Sequence, residues 1–444
     1  MKKNIFFTLH RLFLFLSLAY IGAAVVLFII FGPIKTEIFG QRISFTSFIN
    51  PIRISLGLFI LSFIIWVLGT GKGRSAFTGL LKKGWLILQT GGLTAKDRIC
   101  WIDTLRALAI LLMVFAHTNH AEADIEGVVI YIYSFHIPLF FFVSGFTFYP
   151  ERYRGPKEFI TRKISTLLIP YFFFSFLGYG LFLITDYPHL SFSSFCDSLF
   201  KIVYADTDLL SFAYDSPLWF LPCLFLVEME FYFISFLKKG SQIGVIIFLV
   251  VLGFVFGPRF RYVPWTAAAS CVALLFYWFG FFLKDKIPTL NNPSKRILIA
   301  FGFIISAVFC YLNGPVSMAI DGYGNPFYFL LSALGGIIYV TLLITYTRPN
   351  RILTTLGMNT IIIFGLHGAL LFFVIPKGEA LINLTVLYSI IPLTKVVWLN
   401  PVIIILNNFF ISLLLTLVQI GIIFLLIPLF NTYLYFFLGR KKPT

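Results

Sequence analysis

The sequence predicts an all-α, polytopic integral membrane protein with twelve transmembrane helices and both termini in the cytoplasm. Three observations carry this. Of the 444 residues, 59% are hydrophobic and only 12% charged, and Phe alone occurs 56 times. A soluble domain cannot hide so much apolar surface, so lipid is its solvent. The apolar residues fall into runs of about twenty without strand-like alternation, and a helix satisfies its backbone within each span, as hydrocarbon demands. Finally, with the N-terminus inside, 25 of the 34 Lys and Arg residues lie in inner segments and 8 in outer ones, with Arg106 inside a span. That asymmetry is the positive-inside pattern. The net charge of +16 is therefore loop charge at a membrane surface, and no nucleic-acid partner is expected.

Runs long enough to span lie at 12–32, 54–70, 101–120, 128–149, 164–184, 217–237, 242–258, 263–283, 297–314, 326–346, 356–376 and 402–430. The first begins like a signal peptide, but it is long enough to cross a bilayer and has no convincing cleavage site, so it is expected to stay as an anchor. The first two spans and the basic segment after them make an N-terminal extension, residues 1–97. Residues 98–438 are the main bundle, and 439–444 a basic cytoplasmic tail. The outer loop 185–216, with five Asp among aromatics and hydroxyls, is a solvated connection or a lid. Residues 376–399 include a short interfacial helix. No two of the five cysteines are close in sequence, which indicates neither a disulfide framework nor a Cys-based metal site.

Ionisable groups in hydrocarbon are costly and mark pairs or paths. The span WIDTLRALAILLMVFAHTNH holds Arg106 and His117, eleven residues apart. Three full turns separate them, so they share a face about 16 Å apart along the axis. In the orientation above, Arg106 lies toward the cytoplasm and His117 toward the exterior. Asp103 caps the helix or pairs with Arg106. Snorkelling to headgroups is the plain alternative for Arg106, and an interfacial hydrogen bond that for His117. In the next span Pro138 breaks the helical ladder, Gly145 permits close packing, and His136 lines a cavity with His117 or packs beside the kink. Arg162 and Lys163, in a basic inner loop, are solvated charge or phosphate contacts. Trp219 is placed at the outer interface. Glu228 and Glu230 lie deeper, and at least one should pair with a buried base or donor. Asn359 and His367 share a late span, where a helix–helix hydrogen bond is the default for Asn359.

No P-loop, HExxH, GxSxG or paired catalytic carboxylates stand out, which argues against a nucleotide-driven pump, a zinc protease and a common serine hydrolase. No metal is expected.

Taken in order, these motifs resemble the membrane-bound acyltransferase 3 family, in particular its fucose 4-O-acetylase-like branch. The family's D-x-L-R, ten residues and a histidine are similar to Asp103-Thr-Leu-Arg106 followed by His117. The branch's F-H-x-P-L-F-F-F-x-S-G is similar to the stretch from Phe135 to Gly145, which contains His136 and Ser144. A PLWFLP-type motif matches Pro217–Pro222 around Trp219, and a late Gly, Asn and His pattern matches Gly357, Asn359 and His367. The resemblance covers roughly residues 98–375. It implies a ten-helix bundle that moves an acyl group, usually acetyl, from cytoplasmic acyl-CoA to a hydroxyl of a sugar, polysaccharide or glycolipid, with Arg106 and His117 as the essential pair. The two extra helices before residue 98 depart from the pattern.

On this basis the sequence is expected to encode an acetyl-CoA-dependent O-acetyltransferase of the cell inner membrane. Arg106, Arg162 and Lys163 meet the donor phosphates. His117 acts as general base or carries the acyl group, assisted by His136 or His367, with Asp103, Ser144, Trp219, Glu230 and Asn359 in support. A transporter or flippase for a glycosidic or anionic lipid is the competing class, and a non-catalytic membrane scaffold a third.

Overall fold

A computed structural model describes residues 11–19, 34–38, 41–45, 100–118, 126–186, 192–205, 216–259, 263–348, 350–370 and 400–440, with four isolated positions between 62 and 79. The chain divides into two compact units, residues 1–87 with 176–200 and residues 88–175 with 201–444. In the first unit residues 11–19 are helical, and strands β1 (Ile34–Ile38) and β2 (Gln41–Phe45) pair as an antiparallel hairpin. This hairpin is a departure from the all-α expectation: Ile-Lys-Thr-Glu-Ile and Gln-Arg-Ile-Ser-Phe alternate with period two over too few residues to register as a sheet. The two predicted N-terminal spans lie largely outside the described residues, as does the interfacial helix at 376–399.

The second unit is a helix bundle. Its elements are α1 (Cys100–Thr118), α2 (Glu126–Phe146), α3 (Pro156–Lys163), a π-helical turn (Ile164–Leu168), α4 (Ile169–Asp186), α5 (Phe192–Tyr204), α6 (Phe220–Ile234), α7 (Lys239–Phe256), α8 (Ala267–Leu283), α9 (Asn292–Asn313), α10 (Pro326–Ile344), α11 (Arg351–Met358), α12 (Thr360–Leu370) and α13 (Asn400–Tyr433). Only the N-terminal parts of α4 and the last residues of α5 belong to this unit. Among the described residues nine helices are long and apolar enough to cross a membrane, and ten if α11 and α12 form one bent span. These ten correspond to the ten spans expected after residue 98. The chain is thus a multi-pass membrane protein. Part of the loop 185–216, expected as a solvated connection or lid, is the helix α5.

Three helices start alike. Asn291, Asn325 and Asn350 each accept a backbone N–H with the side chain, and a proline follows within two residues of the first two. An Asn cap satisfies donors left open by the first turn, and proline there loses no hydrogen bond.

The α2 helix is central, packing against α1, α8 and α10. It runs through Pro138 without a break, so the expected interruption there is corrected. A proline removes one intrahelical bond, and here the ladder resumes on both sides. Its neighbourhood is tied by polar links: Ser332 donates to Ser306 O and lies 3.0 Å from Ser134 Oγ, joining α10, α9 and α2. The α2–α8 seam is close enough that backbones touch. A Cβ on Gly145 would lie 1.9 Å from Tyr277 O, and one on Gly280 2.0 Å from Phe142 O. Small residues permit such crossings where lipid supplies no hydrophobic drive.

Gly145→Ala is therefore expected to force the seam apart and destabilise the protein by about 1–3 kcal/mol. Gly244→Ala, where a Cβ meets nothing within 4 Å, is the matched control. Thermal unfolding of both in detergent checks this, with a lowered midpoint for Gly145→Ala alone.

Candidate active site

Asp103 sits in the first turn of α1 and is buried, with Oδ1 3.5 Å from Arg106 Nη1. The other guanidinium nitrogen donates to Thr147 Oγ1 of the segment after α2 at 3.1 Å. The Arg106 side chain is 32% exposed and lines a cavity of about 130 Å³. Ser144 and Thr360 are its other polar lining residues, set against Ile110, Phe140, Phe220 and Phe364 among others. Ser144 Oγ donates to Phe140 O within α2. Apolar walls and one guanidinium make a slot suited to an apolar chain with an anionic end.

The opposite end of the same helices gathers imidazoles. His117 Nδ1 is 3.4 Å from Tyr133 Oη, and its ring centroid lies 5.5 Å from that of His367. The Tyr133 ring packs edge-on against His136 at 5.0 Å. His136 and His367 are both buried, and each places Nδ1 2.8 Å from a carbonyl of its own helix, Ile132 O and Phe364 O. A carbonyl accepts only, so both rings carry their proton on Nδ1. The α1, α2 and α12 helices thus each serve both places: Arg106 and His117, Ser144 and His136, Thr360 and His367.

What aims α12 is a break. The α11 and α12 helices meet at 80° around Asn359, whose backbone leaves the helical region. The bend frees polar groups in a buried place. Asn359 donates to Thr355 O, and its Oδ1 accepts from Asn431 Nδ2 of α13 at 3.0 Å and from Arg440 at 2.8 Å. Arg440 also bonds Asn431 Oδ1 and donates to Met358 O at the end of α11 at 2.8 Å. A guanidinium at a helix C-terminus meets both the open carbonyls and the dipole. The expected helix–helix bond of Asn359 is present. Arg440, expected in a solvated tail, instead folds into the bundle, because the break offers it acceptors that water would otherwise have to supply. Beside it, a Cβ on Gly357 would lie 1.8 Å from Asp103 O, so α11 docks directly on the start of α1.

The remaining residues are placed apart from this axis. Lys163 Nζ is 2.6 Å from Glu228 Oε2, with both side chains largely buried. Arg162 is exposed, its guanidinium 5.8 Å from the Tyr153 ring. Glu230 accepts from Ser270 Oγ at 2.9 Å. Trp219, expected at the interface, is buried beside Phe220. It closes the Ser-Pro-Leu-Trp 3-10 turn that leads into α6.

A family model described as an acyltransferase domain matches residues 99–427, about three-quarters of the chain. The chain belongs to the acyltransferase 3 family. Membrane acyl transfer is accordingly its activity class, and the matched span contains both the Arg106 cavity and the histidine group. No curated protein and no solved structure matches the chain.

Sequence reasoning passed over several residues of this arrangement. Tyr133 and Thr147 flank the Phe135–Gly145 motif by two residues on either side and looked like ordinary membrane-helix residues. Asn431, an amide in the run Ile-Pro-Leu-Phe-Asn, was a signal of the same kind as Asn359. Arg440 carried no such signal, because a basic residue after a span is the ordinary case.

Two measurements test this arrangement. Arg440→Ala leaves Met358 O and Asn359 short of a donor and should lower stability by about 1–3 kcal/mol, with Arg440→Lys intermediate, read as thermal unfolding in detergent. Glu228→Gln strands the Lys163 charge and should cost about 3 kcal/mol, whereas Lys163→Met with Glu228→Met together should recover most of it. Equal loss in the single and double variants would contradict the pair's assignment.

Proposed function

We propose that this acyltransferase is an O-acetyltransferase of the fucose 4-O-acetylase-like branch. It takes acetyl from cytoplasmic acetyl-CoA and delivers it to a hydroxyl of a sugar, polysaccharide or glycolipid at the inner membrane, with both termini cytoplasmic. The observation that supports this most is the sharing of α1, α2 and α12 between the Arg106 cavity and the histidine group. A donor entering at Arg106 has one continuous set of walls to follow toward His117, about 16 Å further along α1.

Arg106 is held by Asp103 and Thr147 so that its fork faces the cavity. A rigid planar guanidinium orients an anionic group better than a point charge. At the other end the acceptor oxygen attacks the thioester carbonyl, the carbon–sulfur bond breaks, and the thiolate leaves with CoA. In the general-base route His117 donates Nδ1–H to Tyr133 Oη, which leaves the Nε2 lone pair to take the hydroxyl proton. In the covalent route that same nitrogen takes the acetyl group first and yields it to the acceptor. His367, beside the His117 ring, orients it or polarises the carbonyl.

Purified protein given labelled acetyl-CoA and a glycan or glycolipid acceptor should release free CoA and form an acetylated product. His117→Ala should slow transfer by about 10²–10⁴-fold. Arg106→Lys should raise the KM for the donor more than it lowers kcat. Normal turnover in His117→Ala sinks the assignment.

A further inference from the structure

Tyr149 follows α2 at the Arg106 end of the bundle, and two cations converge on its ring. The guanidinium carbon of Arg152 lies 4.4 Å from the ring centroid and Lys284 Nζ 4.2 Å. Lys284 stands just past the end of α8, donates to Phe148 O at 3.3 Å, and lies 4.2 Å from the Phe281 ring. Among the described residues neither cation has a carboxylate within ion-pair distance; the two salt bridges there are Arg106–Asp103 and Lys163–Glu228. Burial pushes the Lys284 amine below its ordinary pKa, although Asp285 and Glu151 pull it up. Arg152 and Lys284, two like charges gathered on one aromatic ring, repel each other, and a bound anion would relieve that repulsion. The place is also tied to the cavity. Thr147, two residues before Tyr149, receives the hydrogen bond of Arg106, which lines it. Lys163, by contrast, is taken up by Glu228.

We infer that Arg152 and Lys284, arrayed on Tyr149, form the phosphate subsite that grips the 3′-phosphorylated nucleotide end of the acyl-CoA donor. This rests on the acyl-transfer reading of the cavity. The ammonium and guanidinium supply several donors to a dianionic phosphate, and the ring holds both in place. The pantetheine arm then leads past Arg106 into the slot.

The test uses the full chain in neutral phosphatidylcholine nanodiscs, with CoA affinity measured by calorimetry and initial rates measured with acetyl-CoA and with S-acetyl-pantetheine, which lacks the nucleotide. The double variant Arg152→Gln/Lys284→Gln should weaken CoA binding by about tenfold or more. It should also lower the KM ratio between S-acetyl-pantetheine and acetyl-CoA by about the same factor. Dephospho-CoA should bind the wild type and the double variant alike. Lys239→Gln, an exposed cation elsewhere, is the control and should leave the ratio intact. An unchanged CoA affinity, or an equal KM rise for both donors, overturns the subsite. So does a variant effect seen only as lost binding of phosphatidylglycerol vesicles, which assigns the cations to lipid headgroups. If the wild type binds CoA in an Arg152- and Lys284-dependent way but transfers acetyl from neither donor, the subsite stands and the acyl-transfer reading fails.

Discussion

A backbone inside hydrocarbon has to find a partner for every polar group, and this protein breaks a helix there anyway. The 80° turn at Asn359 opens Met358 O at the end of α11, which Arg440 closes, while Asn431 and Arg440 together hold the Asn359 side chain. Irregular backbone at membrane depth survives only where protein or a polar cavity takes over the role of water. With the turn secured, α12 points its first residues at the Arg106 cavity and sets His367 against His117. Without it, a straight helix would carry Thr360 and His367 along the α11 direction.

The rest of the site depends on close approach. Gly357 lets α11 touch the start of α1 beside Asp103, and Gly145 with Gly280 lets α2 and α8 meet backbone to backbone. These contacts leave almost no slack. Arg106 is held from two helices' ends, by Asp103 of α1 and by Thr147 just after α2. Small residues at the crossings and polar residues at the two ends divide the labour: the first fix distances, the second fix chemistry.

Much of this was legible in the chain because hydrocarbon makes polar residues conspicuous. Arg106 and His117 declare their shared face through spacing alone, and the continuous α1 bears that spacing out as geometry. The ten spans after residue 98 follow from apolar run length. Pro138 misled because a proline announces a lost hydrogen bond but not whether the helix resumes, and α2 continues on both sides of it. The true bend, at Asn359, has no proline to mark it. Arg440 was illegible for a different reason. Its role is set by a partner 81 residues away, and local pattern carries no information about such pairings. Lys163 likewise reads in the sequence as a donor-phosphate contact or solvated charge, and its pairing with Glu228 of α6 has no local signal.

The Asn359–Arg440 link also sets an order of events during synthesis. The bend emerges from the ribosome 81 residues ahead of the guanidinium that closes it. For that interval the end of α11 lacks its final hydrogen-bond partner, and α12 lacks a fixed direction. Insertion of α13 is thus more than the addition of another span: it delivers Asn431 and then Arg440 to the bent span that precedes it. Nascent chains halted anywhere in that window would be membrane-inserted yet without an assembled site, a form that cellular surveillance of membrane proteins can recognise by its exposed polar bend.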